Sequence, residues 1–96
     1  MTQNKEQHLE EMKARMAVLR EKIDRFQETA QQAEGEKKIQ CQMHIEELCS
    51  KYAIVEEKIA DLDKSPEESW WENFGATVEG PYNALTEAVQ RLLPDY

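Results

Sequence analysis

The chain has 96 residues, with 20 Asp+Glu against 12 Lys+Arg, a formal charge of -8, 40% hydrophobic and 33% charged residues. That length holds at most one domain, and 3 Gly, 3 Pro and 7% aromatics leave little material for turns or sheet faces, which weighs against an enzyme with a deep pocket. The acidic balance weighs against nucleic acid and anionic membrane surfaces, both of which call for clustered Lys and Arg.

From Lys5 to Lys64 there is no proline and one glycine, and most residues are strong helix formers. Apolar residues fall at Leu9, Met12, Met16, Leu19, Ile23, Phe26, Ala30 and Ala33, with gaps alternating three and four, the seam of a coiled coil. A second seam follows at Cys41, Ile45, Leu48, Tyr52, Val55, Ile59 and Leu62. The two do not share a frame, because Ala33 to Cys41 is eight residues where a heptad puts seven. Two readings accommodate the extra residue. In one, a single helix unwinds slightly over the insertion and runs for about 90 Å. In the other, Glu34-Gly35-Glu36 is a tight turn with Gly35 as a left-handed cap, and two antiparallel helices form a hairpin. The lack of Asn, Asp, Ser, Thr or Pro near Gly35, and the i,i+4 pair of Glu34 with Lys38 across it, favour the continuous helix. On its surface Glu11 with Arg15, Glu21 with Arg25 and Glu47 with Lys51 are expected ion pairs.

Ser65-Pro66-Glu67-Glu68 reads as a capping box that starts a new helix, so the chain turns there. From it, Trp70, Phe74, Val78, Tyr82, Leu85, Val89 and Leu92 form an apolar face widened by Trp71 and Leu93. Gly80-Pro81 interrupts that face, predicting a kink or a stop with restart at Pro81. Residues 1–64 thus read as a coiled-coil region and residues 65–96 as a Trp-led amphipathic region. The latter carries six acidic groups and one basic, a net of -5, against -3 for the former. Its apolar face needs a cover: the Tyr52 to Leu62 end of the long helix, a second copy, or a partner.

Little in the chain suggests chemistry. Cys41 and Cys49 are separated by about 12 Å of helical rise, too far to bridge within one helix. Cys41 and His44 share a face and would form a zinc site or a cross-link only between two copies; otherwise Cys41 is a small seam residue, His44 a flanking surface residue and Cys49 a partly exposed thiol. His8, near the start of the helix, has no evident partner. Glu10-Glu11, Glu46-Glu47, Glu56-Glu57 and Glu67-Glu68 are solvated neighbours rather than acid–base pairs. There is no phosphate loop, nucleophile elbow or calcium loop, so no enzyme and no cofactor are expected. Met1 to Glu6 lacks a targeting pattern, and no run approaches the ~18 apolar residues of a spanning helix, so a cytoplasmic chain with free thiols and no transmembrane segment is expected.

The stretches Ile45-Glu46-Glu47-Leu48, Val55-Glu56-Glu57-Lys58-Ile59-Ala60-Asp61-Leu62, Ser69-Trp70-Trp71-Glu72 and Leu85-Thr86-Glu87-Ala88-Val89 resemble a family of short, acidic bacterial coiled-coil proteins, described as stress-associated or of unknown function. The resemblance implies a bacterial, non-enzymatic helical protein. The expectation is therefore an all-α fold: a long coiled-coil helix with a C-terminal amphipathic helix folding back, or a three-helix bundle with a turn at Gly35. Its expected work is self-association or binding of a partner helix. Contact of the C-terminal face with lipid or exposed apolar protein surfaces under stress, and a thiol or metal response through Cys41 and His44, are the alternatives.

Overall fold

The structure, a computed structural model, describes residues 5–64 and 68–93. Among the described residues there are four helices and no strand: α1 (Lys5–Gln32), α2 (Glu36–Asp63), α3 (Trp70–Thr77) and α4 (Glu79–Leu92). The molecule is a rod with extents of 52 × 19 × 18 Å. The fold is all-α, as the helix-forming composition requires.

The continuous helix over residues 1–64 is not what forms. Ala33, Glu34 and Gly35 break it, and α1 and α2 pack antiparallel as a hairpin. Lys5 Nζ, at the start of α1, donates to the backbone carbonyl of Asp63, at the end of α2, over 2.9 Å. The eight-residue step between the seams explains the outcome. At 3.6 residues per turn a straight helix would carry the second seam about 100° away from where a heptad puts it. No single neighbour could then bury both seams, whereas folding back lets each seam bury the other.

Gly35 makes the reversal, at φ 65°, ψ -138°. It is the N-cap of α2 rather than a left-handed C-cap of α1, and its carbonyl accepts from the N–H groups of Lys38 and Ile39. No side chain caps α2. Lacking a Cβ, glycine reaches this region at little cost, and the missing capping residues do not prevent the turn.

Glu67 and the preceding Ser65 and Pro66 of the expected capping box lie outside the described residues. Glu68 and Ser69 are in a turn, and α3 begins at Trp70 with Ser69 as N-cap. The break before Pro81 is real but displaced. Val78 ends α3 and caps α4, which restarts at Glu79, two residues ahead of the proline. Pro81 has no N–H to return to the Thr77 carbonyl, four residues upstream, and its ring crowds that carbonyl, so the interruption falls just after Thr77, at Val78. Helical bonds resume on both sides, Val78 N–H to the Phe74 carbonyl and Tyr82 N–H to the Val78 carbonyl, each 2.9 Å.

α4 returns along α2, on which it packs more than on α1. Arg91 donates to Glu47 over 2.7 Å, which places the end of α4 beside the middle of α2. Glu47 therefore pairs with Arg91, in place of the expected Lys51. The expected Glu11–Arg15 and Glu21–Arg25 pairs form, as does Arg20 with Asp24. All are solvent-exposed and contribute at most about 1 kcal/mol each.

The core runs through the three layers. Leu9, Met12, Met16, Leu19, Ile23, Phe26 and Ala30 of α1 are buried; so are Leu48, Val55, Ile59 and Leu62 of α2, and Trp70, Val78, Leu85, Ala88, Val89 and Leu93 from the C-terminal third. Cys41, Ile45, Tyr52, Phe74, Tyr82 and Leu92 are half-buried against it. On α2, Leu48, Val55, Ile59 and Leu62 are buried where α4 and α3 lie over the hairpin, with Tyr52 half-buried among them, and burial falls off toward Gly35. There the rod has only two helices, and Cys41 and Ile45 keep part of their surface in solvent.

Candidate interaction surfaces

The seam residues expected to meet a partner lie inside this chain. Leu9, Met12, Met16, Leu19, Ile23 and Phe26 face Ile45, Leu48, Tyr52, Val55, Ile59 and Leu62 within the hairpin and under α3 and α4. The C-terminal face is likewise turned inward: Trp70, Val78, Leu85 and Val89 are buried, with Phe74, Tyr82 and Leu92 at its margin. Trp71 departs from that face and is 52% exposed.

What stays uncovered is a different set. Among the described residues, the exposed large apolar side chains are Val18, Ile39, Met43, Ile54 and Trp71, and three of the five are on α2. At 100° per residue, Ile39, Met43 and Ile54 fall within an arc of about 60°, opposite the buried Leu48. The same arc holds Glu36, Ser50, Glu57 and Asp61, with Glu46 about 20° beyond its margin, all exposed, and no lysine or arginine of α2. Neither this row nor its charge was singled out by the seam pattern. The signal was present in the Ile39–Met43 spacing of four, one helical turn, off the register of Cys41, Ile45 and Leu48.

A second cluster gathers at the opposite end of the rod. His8 is surrounded by Phe74, Trp70 and Trp71, with ring centroids at 4.4, 5.3 and 5.5 Å, the Phe74 ring standing at 88° to the imidazole. Trp71 also stacks on Phe74 at 5.6 Å. His8, expected to lack a partner, is thus the residue that joins α1 to α3, and only the fold-back of the C-terminal third brings the two together. Its Nε2 is buried with no hydrogen-bond partner among the described residues. Desolvation lowers its pKa below 6.5; Glu11 opposes this and Arg15 adds to it. Such edge-to-face packing contributes about 0.5–1.5 kcal/mol per pair for true aromatic rings.

On the face of the hairpin away from α4, a groove of 380 Å³ runs between the helices, floored by Met16, Ala17, Ile59 and Ala60 and rimmed by Lys13, Glu56 and Asp63. Tyr52 closes it, with the Arg20 guanidinium 5.6 Å above its ring. Burial, then the Glu56 carboxylate, hold the Tyr52 phenol above its usual value, so it stays protonated at neutral pH. The groove is open to solvent, and among the described residues no three His, Cys, Asp or Glu side chains converge as metal ligands.

Cys41 and Cys49 are free thiols, half-buried on α2. Gln27 Nε2 approaches Cys49 Sγ at 4.0 Å, and His44 lies over Phe26 with centroids 6.3 Å apart at 23°. His44 is therefore packed against the hairpin partner helix rather than simply flanking it. No described helix is long and apolar enough to cross a membrane. Comparisons with protein-family models, curated proteins and solved structures gave no match.

Proposed function

We propose that this chain is a non-enzymatic helical interaction protein, working through contact with helical partners or further copies of itself. The observation that carries the reading is the row Ile39, Met43 and Ile54: three large apolar side chains, 59%, 62% and 46% exposed, aligned on one helix whose other face already holds the core. Single exposed apolar residues are ordinary on any protein surface, but aligned ones mark contact faces. The acidic surface keeps such a chain soluble between contacts.

The expected oligomer seam gives less support, since the chain's own helices cover it. A partner reaching Leu19 or Val55 has to open the hairpin. The lipid-binding and thiol or metal alternatives lack a comparable observation: the C-terminal face is turned inward, and the Cys41 and His44 side chains pack against the hairpin. A cytoplasmic location and kinship with acidic bacterial coiled-coil proteins belong to the same proposal.

Site-specific photo-cross-linking in cells tests it. A photoreactive residue at Val18, Met43, Ile54 or Trp71 should give adducts that one at exposed, polar Glu28 does not. Absence of adducts above the Glu28 background at all four positions, together with a monomeric mass at high micromolar concentration, would refute the reading.

A further inference from the structure

We infer that the outward face of α2 docks a basic amphipathic helix supplied by another protein. The inference rests on the interaction reading above and specifies its surface and its partner.

Two properties of the face select that occupant. The first is shape. Positions 39, 43, 46, 50, 53 and 57 step along α2 by four, three, four, three and four, a heptad-like row on its solvent side. Ile39 and Met43 begin the row, Ser50 and Ala53 are small, and Ile54 flanks it at the far end. Ile39 to Ile54 spans about 22 Å, the length of four helical turns. A helix laid along it meets apolar side chains at both ends and can approach closely at Ser50 and Ala53.

The second is charge. Glu46 sits in the row between Met43 and Ser50, with Glu36 and Glu57 along the same face and no lysine or arginine of α2 within it. Glu47, at the arc's edge, is engaged with Arg91. A second copy of this chain would set three carboxylates against three others, and an acidic partner would do the same. Like charges across an interface suppress wrong partners, whereas opposite charges steer the right one. A partner helix with Lys or Arg facing Glu46 and apolar residues one turn to either side satisfies both properties.

The test uses the whole chain and a fluorescent probe peptide of about 18 residues, five turns, with a leucine face interrupted by one lysine and flanked by lysines. A control peptide has the same composition scrambled so that no apolar face forms. Fluorescence anisotropy should show the amphipathic peptide binding at least about tenfold tighter than the scrambled one. The triple variant Ile39→Ser/Met43→Ser/Ile54→Ser changes exposed side chains and no charge. It should keep its helicity by circular dichroism yet lose about tenfold or more in affinity. Glu46→Gln should weaken binding and reduce its salt dependence, while Val18→Ser should change nothing. Equal binding of the two peptides, binding by the triple variant as tight as by the native chain, or no binding at all would overturn the inference. So would a homodimer that the triple variant dissolves, because the face would then belong to a second copy. Cross-links at Val18 or Trp71 with none at Met43 or Ile54 would remove this inference and leave the interaction reading standing.

Discussion

Replacing Gly35 with alanine acts on the one residue that decides between a hairpin and a straight helix. At φ 65° and ψ -138° an L side chain sits in a region populated almost solely by glycine, at a cost of about 1–3 kcal/mol. A Cβ added there meets no atom within 4 Å, so the whole cost is backbone strain and no neighbour can relieve it by moving. In a continuous helix the same substitution is favourable by about 1 kcal/mol, the difference in helix propensity between glycine and alanine. The balance between folded-back and straight connections therefore shifts by about 2–4 kcal/mol, or roughly 30- to 700-fold at 1.4 kcal/mol per tenfold. An open monomer is not the product, because seven buried α1 residues would be uncovered at about 1.5–3 kcal/mol for each large one. Two open chains, however, can exchange α1 helices and rebuild every contact of the core. Gly35→Ala should lower the stability of the monomeric form by about 1–3 kcal/mol in urea unfolding. Light scattering over a concentration series should also show a larger share of dimer than the native chain shows. Gly75→Ala is the control: it lies inside α3, its Cβ would meet only the Glu79 carboxylate at 3.8 Å, an ordinary contact, and it should be neutral or stabilising by about 1 kcal/mol at most. A Gly35→Ala chain with the stability and mass of the native one would refute the account of the turn.

Two further outcomes follow from the packing. Leu48 is fully buried where α4 covers the hairpin, so Leu48→Ala should cost about 2–5 kcal/mol in chemical denaturation; a loss below about 1 kcal/mol would mean that the layer there is not closed. His8 is held below its usual 6.5, so in acid the unfolded chain takes up this proton before the folded one does. Its contribution is intact above 6.5, is lost as pH falls through 6.5 toward the folded-state value, and declines no further below that. His8→Phe keeps a ring between Trp70 and Phe74 and removes the proton. Thermal melts of the variant and the native chain should then diverge only as pH drops below about 6.5. Parallel profiles would disprove a burial effect, and a native chain that gains stability in acid would show that the surrounding rings hold the imidazolium instead.

Much of the core was legible residue by residue. The seam from Leu9 to Phe26 and the inward positions Val78, Leu85 and Val89 are buried as their spacing implies, because helical periodicity depends only on positions along one helix. The connection at Gly35 was not legible in the same way. A lone glycine without capping neighbours is compatible with a helix, and what outweighs that local preference is burial of two seams that lie far apart in the chain. His8 was missed for the same reason, since its neighbours Trp70, Trp71 and Phe74 are more than sixty positions away. The outward row of α2 was hidden by the stronger seam beside it: Ile39 and Met43 read as part of a helix that was expected to bury its other side.

By itself, the sequence determined that the chain is helical, acidic, and built from three apolar faces with a break ahead of Pro81, all properties of local spacing and backbone chemistry. Tertiary structure alone decided which faces close on one another. Burial of apolar surface is non-directional, so it selects whichever arrangement covers the most. Here that arrangement covers most of all three faces within one chain, and leaves Ile39, Met43 and Ile54 on the outward side of α2 in solvent, as it does Val18 of α1 and Trp71 of α3.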